Sequence, residues 1–393
     1  MNPALYTSPH QFTPLMPADT AMAPALAKAM AVEEQALALR AGMPQQTLSG
    51  LRGLVRQMNS YYSNLIEGQG THPLNIERAL RNDYSKDAAI ARLQRLAVAH
   101  IAVEYELETD IPADHALLAA TACRAHRSLY ARLPEEDQYT DEGQPIHPGE
   151  LRQADVEVGN HVPPAWQAVP RFLEAFDRQY AHAHAPGYRL IAAACAHQRL
   201  AWVHPFLDGN GRAIRLQTQL ALMPVTAGLW SANRGFARNK ARYYAALAAA
   251  DVIRQGDLDG RGNLSEQGLL NWVDCFLDIC LDQVEFMTRC LNLQDIRRGI
   301  EALVLFETRQ PGTGLRTEAI LPLHHLFLAG EMTRSDFSQA TGLGERTARQ
   351  LLSALLRYGL VTSPSRYGPL HFGFPIQALR FLLPGLYPEA AQP

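Results

Sequence analysis

Apolar residues recur at three- and four-residue intervals along most of this chain, the spacing of helices that bury one face. Leu51, Leu54, Val55 and Met58 stand at i, i+3, i+4 and i+7. The pattern over 25–59, broken near Ala41-Gly42-Met43-Pro44, predicts two helices. Helices are also expected over 76–103, 115–133, 169–185 and 188–203, the last with a small, tightly packing face that includes Leu190, Ala194, Cys195 and Ala201. Strand-like alternation is brief. Val156-Glu157-Val158, between Gly149 and Pro163-Pro164, predicts a short hairpin between helices. Residues 1–24 carry Pro3, Pro14, Pro17 and Pro24 with little periodicity, and predict an extended, loosely held arm.

Further helices are expected over 238–250 and 265–298, and the composition then changes at Gln310-Pro311-Gly312-Thr313-Gly314. Beyond it come three short helical patterns (319–328, 334–341 and 344–358), then Leu360-Val361 and His371-Phe372-Gly373-Phe374 as paired strands. That is the order of a winged helix-turn-helix. The expected organisation is the arm (1–24), an N-terminal helical region (25–110), a helical core (111–300) and the winged module (315–380).

Composition narrows the class. Of 393 residues, 47% are hydrophobic and 19% charged, which is globular rather than disordered. Lys and Arg number 36 against 39 Asp and Glu, a net charge of −3, so no global positive field draws the chain to nucleic acid or anionic lipid. The five cysteines are widely spaced, with no CxxC pair, which argues against a structural zinc site. The uncharged run 216–233 is interrupted by Gln217, Gln219, Pro224 and Ser231 and is not expected to span a bilayer. The opening residues lack the basic and apolar regions of a secretory signal, so a cytoplasmic protein is expected.

The densest chemistry lies in His204-Pro205-Phe206-Leu207-Asp208-Gly209-Asn210-Gly211-Arg212, just ahead of a predicted helix. Gly209, Asn210 and Gly211 at a helix N-terminus offer close backbone N–H groups to an anion. Arg212 adds a cationic fork, and Arg215, three residues on, shares its helix face. Asp208 is a hard oxygen ligand suited to Mg²⁺ on phosphate oxygens. His204 is left to act on a proton. Singly, each feature reads as an ordinary turn or loop residue; together they describe a polyphosphate site with a base.

This nine-residue run resembles the motif HPFx[D/E]GN[G/K]R of the Fic (Fic/Doc) family at every specified position. The resemblance implies a mainly α fold, a Fic-type helical core with a β-hairpin flap, that transfers AMP from ATP to a hydroxyl side chain of a target protein. It further implies His204 as general base, Asp208 as the Mg²⁺ ligand, Gly209, Asn210 and Gly211 as the phosphate cradle, and Arg212 and Arg215 on the β- and γ-phosphates. Upstream, Ser63-Asn64-Leu65-Ile66-Glu67-Gly68 is similar to the inhibitory pattern [S/T]xxxE[G/N]. The resemblance implies that Ser63, Glu67 and Gly68 belong to an inhibitory helix, Glu67 pairing bidentately with Arg215 in competition with the γ-phosphate.

Gly149-Glu150-Leu151-Arg152, followed by Val156, Glu157, Val158 and Gly159 and the residues on to Pro164, looks like the family's flap, which would register a target's backbone by β-strand pairing. Tyr243 and Tyr244 are similar to its adenine-contacting pair, with a core role equally open for Tyr243. Asp251 departs from the asparagine that relatives often place there. The resemblance extends over most of 50–375. His182, His184 and His197 lack the thiol or carboxylate partners of a zinc site. In the winged module, Arg346, Arg349, Gln350, Arg357 and Arg366 could face DNA, but so few cations beside Glu345 leave target or dimer contacts as the preferred use. A two-fold homodimer is the default assembly. The competing readings are a hydrolase that removes AMP, with Glu67 orienting a water, and a DNA-binding regulator whose Fic loop senses nucleotide.

Overall fold

The computed structural model describes residues 6–182 and 185–387. The fold is mainly helical. Helices α1 (Asp19–Ala41), α2 (Gln45–Ile66), α3 (Pro73–Leu80), α4 (Ala88–Asp110) and α5 (Ala119–Tyr130) precede α6 (Val169–Tyr180), α7 (Tyr188–Val203) and α8 (Asn210–Thr226). Then follow α9 (Ala232–Arg238), α10 (Lys240–Ala249), α11 (Glu266–Cys290) and α12 (Leu293–Glu307). The last part comprises α13 (Ile320–Ala329), α14 (Arg334–Ala340), α15 (Glu345–Tyr358), strands β1 (Val361–Thr362) and β2 (His371–Phe372), and α16 (Leu379–Leu382).

Helix α7 is the central post. Ala192, Ala193, Ala194 and Cys195 are fully buried and Ala196 nearly so, as expected of a helix apolar all round. Their small side chains admit α8, α11, α6 and α1 on successive faces. The adjacent α7 and α8 carry the motif loop between them, so a buried, rigid pair presents it.

Several boundaries differ from the sequence reading. The predicted 265–298 helix is two, because the Asn292 side chain accepts from the Gln294 and Asp295 N–H groups and starts α12. Helix α1 begins at Asp19, with Pro24 inside it. The arm before it, from residue 6 on, is pinned rather than loose. Phe12 is fully buried against Phe172 and Trp202, and Arg199 Nε donates to the Pro14 carbonyl at 2.9 Å. Residues 1–5 lie outside the described residues. These contacts join distant segments, which local periodicity does not report.

The expected hairpin contracts to one antiparallel bridge, Val158 with His161, around a turn in which Gly159 has φ +60°. Pro163 and Pro164 have no N–H to extend it, and Arg152 takes up the Ala154 and Pro164 carbonyls on either side.

Beyond α12, helices α13 to α15 lead into an antiparallel pair, Val361 opposite Phe372 and Thr362 opposite His371. This part lies along α2. Thr47 Oγ1 donates to the Phe327 carbonyl at 3.0 Å, and Tyr62 OH donates to the Leu386 carbonyl at 2.8 Å. Tyr387 packs on Tyr61 and Tyr62. The helix that carries Ser63 is thus gripped at both ends. Among the described residues no helix is long and apolar enough to cross a membrane.

Candidate active site

A cleft of about 900 Å³ opens where α7, the motif loop, α8, α10 and the end of α2 meet. Lining it are His204, Asn210, Gly211, Arg215, Glu67, Tyr243, Tyr244 and Asp251, with Val158 and Gly159 from the flap turn. Asp208 and Arg212 line a smaller cavity of about 230 Å³ together with Gln69 and Tyr130. Val156 is partly buried and Glu157 exposed, and neither lines the cleft.

His204 ends α7 with left-handed backbone, φ +50° and ψ 63°. Burial, then the Arg152 guanidinium and His161, push its imidazole down to about 4. It therefore stands neutral at pH 7, with a ring lone pair free to take a proton.

The loop is held from several sides. Gly209, the N-cap of α8, has φ +74°, and a Cβ there would lie 2.5 Å from Tyr130 Oη, so this position is closed to larger residues. Asp208 Oδ1 accepts from the Gly209 N–H. Asn210 keeps its place in the cleft lining, and its side chain is turned inward. Its Oδ1 accepts from Phe206 N at 2.9 Å and its Nδ2 donates to Phe206 O at 2.8 Å. Asn210→Ala would leave both buried groups of Phe206 unpaired, and we expect a loss of about 2–4 kcal/mol in urea denaturation.

Both arginines are buried. Arg212 Nη2 donates to Tyr130 Oη at 2.8 Å and Nη1 to Gln69 Oε1 at 2.5 Å, while its Nε has no hydrogen-bond partner. Arg215 Nε donates to Ser63 Oγ at 3.0 Å and Nη2 to the Ser63 carbonyl at 3.1 Å. Its Nη2 also meets Glu67 Oε1 at 2.5 Å. The contact is through one carboxylate oxygen rather than bidentate, with Nε taken by Ser63. Burial pulls the Glu67 carboxyl upward, but Arg215 and Arg212 outweigh it and hold the group below its usual range. Gly68, with φ +75°, turns the chain away after the end of α2.

The tyrosines divide. Tyr243 is buried, its ring against Phe236 and Trp272. Thr218 Oγ1 donates to the Ile214 carbonyl and so receives a hydrogen from His197 Nδ1, leaving His197 Nε2 to accept from Tyr243 OH at 2.9 Å. Tyr244 is 42% exposed, which leaves ring surface open to the cleft. Asp251 accepts from Gln198 Nε2 at 2.7 Å, and burial pushes its carboxyl up to about 7 against the pull of Arg199. His197 is thus spent in the core, and His184 lies outside the described residues. Among the described residues no group of three or more His, Cys, Asp or Glu could hold a metal ion.

Sequence reasoning did not assign Tyr130, Gln69 or His126 to this region. His126 and Tyr130 stand four apart on α5, one face of a helix, but only the packing of α5 on α8 turns that face toward the motif.

Comparison with known proteins agrees with this geometry. The Fic/DOC family model matches residues 116–222, and the chain carries a domain of that family. It is 40% identical over 80 residues to the protein adenylyltransferase Fic of Drosophila ananassae, and 39% identical over 80 residues to that of Drosophila melanogaster. In both cases the match covers 20% of this chain and 16% of the relative. A solved Fic family protein from Desulfovibrio desulfuricans G20 superposes with a TM-score of 0.52 at 19% identity, over 92% of this chain and 98% of that one. That likeness is one of fold.

Proposed function

We propose that this chain is a protein adenylyltransferase, transferring AMP from ATP to a hydroxyl side chain of a target protein, and that Glu67 restrains it at rest. One observation carries the reading: a neutral His204, the N-terminus of α8 and the buried Arg215 converge on one cleft, with a carboxylate already seated on Arg215. The relatives' description as adenylyltransferases supports it.

The residues fit a nucleotide polyphosphate. The first turn of α8 offers unpaired N–H groups. Gly211 keeps that turn open, since a Cβ there would lie 2.2 Å from Glu67 Oε1. Arg215 is a buried cation already holding an anionic group, and Arg212 has an unpartnered Nε. The Asp208 side chain, 41% exposed, is the hard oxygen donor of the loop. Mg²⁺ bound there would neutralise phosphate charge, sharing its ligands with the nucleotide rather than relying on a protein cage.

His204 accepts the proton of the target hydroxyl as that oxygen bonds to the α-phosphorus. The bond from the α-phosphorus to its bridging oxygen breaks, and pyrophosphate leaves with the electron pair. Arg212 and Arg215 hold the β- and γ-phosphates in line, so positioning and charge stabilisation do most of the work. The flap turn lies beside His204 on the cleft wall and presents its backbone to the target.

The test is the fate of the label. Added to a target-bearing extract, the Glu67→Gly chain should add protein label from ATP radioactive at the α-phosphate, and none from ATP radioactive at the γ-phosphate beyond that of the extract alone. Labelling from the γ-phosphate would make the chain a kinase and overturn the reading.

A further inference from the structure

The stretch from Gly149 to Arg152 lies outside the nine-residue motif, yet it touches that loop at both ends. The Arg152 side chain is wholly buried, and its nearest carboxylate, Asp155, stands 3.8 Å away and 43% exposed. The guanidinium is satisfied instead by carbonyls. Nε donates to His204 O at 2.8 Å, Nη1 to Ala154 O at 2.9 Å and Nη2 to Pro164 O at 2.5 Å. Its own N–H donates to Pro205 O at 2.9 Å. One side chain therefore binds the residue before the flap turn, the residue after it and His204 itself.

At the loop's far end, His126 Nδ1 accepts from the Gly149 N–H at 2.8 Å, so its Nε2 donates to Asp208 O at 3.1 Å. The His126 ring stacks on Phe206 at 4.1 Å. His204 keeps a backbone conformation that L-residues seldom adopt, and such a conformation persists only where surrounding contacts over-determine it.

We propose that Arg152 is a positioning residue for His204: it locks the histidine's main chain to both sides of the flap turn, so that the group docking the target and the group taking its proton form one rigid unit. His126 secures the Asp208 end of the same loop to the same strap. The inference rests on the transferase reading above. Fixing the His204 carbonyl fixes the origin of the imidazole, and an error of about 1 Å in such a group can cost about 10²-fold in rate. Arginine suits the task because its planar fork reaches three carbonyls at once, which a lysine ammonium on a flexible stem does not.

The experiment places Arg152→Lys and Arg152→Met in a Glu67→Gly background and measures kcat, KM for MgATP, the pH–rate profile and the unfolding midpoint. We expect kcat to fall about 10²-fold in both, with KM for MgATP within about threefold, since neither phosphate arginine contacts Arg152. The groups facing His204 are Arg152 from the strap, His161 from the flap turn and Glu67 from α2, with Arg215 and Asp251 further along the cleft. Removing a cation that depresses His204 raises its pKa, so Arg152→Met should move the acid limb to higher pH while Arg152→Lys leaves it in place.

A structural staple alone would lower the unfolding midpoint and the active fraction while leaving kcat per folded molecule near that of the parent. That result, or kcat within threefold of the parent, overturns the proposal. If Arg152→Met fails to fold, the kcat and KM of Arg152→Lys decide. If the Glu67→Gly parent itself transfers no AMP, the transferase reading fails, and this inference fails with it.

Discussion

Glu67→Gly is expected to raise AMP transfer by roughly 10–100-fold, the range of a coupling of about 1–3 kcal/mol between competing ligands. The competition is for Arg215, whose Nη2 is held by Glu67 Oε1 at 2.5 Å. Its remaining contacts, to Ser63 Oγ and the Ser63 carbonyl, orient the guanidinium without neutralising it. A γ-phosphate arriving there must displace the carboxylate or bind in another pose. Glycine removes the anion at the very end of α2, where the chain already turns at Gly68, so the helix is little disturbed. Glu67→Gln should relieve inhibition less, because the amide keeps a hydrogen-bonding oxygen while losing the charge. Since Arg215 and Arg212 hold the Glu67 carboxyl below its ordinary value of 4.5, it stays charged throughout pH 5–8, and acidification over that range should not release the enzyme. Assays of initial rate at saturating MgATP check all three statements.

His204→Ala is expected to lower transfer by about 10²–10⁴-fold, the contribution of a positioned general base, while binding of MgATP by calorimetry changes little. The separation follows from the geometry. The groups proposed to face phosphate belong to α8 and its first turn, whereas His204 closes α7 on the other side of the loop. Its carbonyl, the atom bound by Arg152 Nε, is main chain and survives the substitution, so the loop should keep its shape. A variant that lost nucleotide binding in parallel with activity would instead assign His204 to the nucleotide.

How far the sequence could be read depended on where each residue's partner lies. The motif loop was legible because its members are contiguous and the helices on either side have strong periodicity. The pairing of Glu67 with Arg215, 148 positions apart, was reached through the resemblance; no local pattern joins them. Arg152 was placed with the flap but not tied to His204, and His126 went unassigned, because their partners are backbone carbonyls and N–H groups 52, 82 and 23 positions away, and a carbonyl leaves no residue-type signature. The side chain of Asn210 had no reading of its own beside the backbone N–H role of its loop, and the Phe206 backbone four residues earlier claims it. The arm looked unstructured because prolines remove its periodicity, while Phe12 is buried by residues from α6 and α7.

The grip of the C-terminal part on α2 was likewise beyond a local reading. Tyr62 and Tyr387 meet across most of the chain, and their contact lies immediately before Ser63 and little more than a turn before Glu67. The Glu67 carboxylate therefore follows a helix fastened outside the cleft, through Thr47 and Tyr62, as well as within it.

Base-dependent AMP transfer restrained by Glu67 can be read from intact mass. The wild-type chain, Glu67→Gly, and Glu67→Gly combined with His204→Ala are each incubated with MgATP and weighed. An AMP-sized addition is expected on the Glu67→Gly chain, little on the wild type and none on the double variant. An equal addition on all three, or a phosphate-sized one, would contradict it.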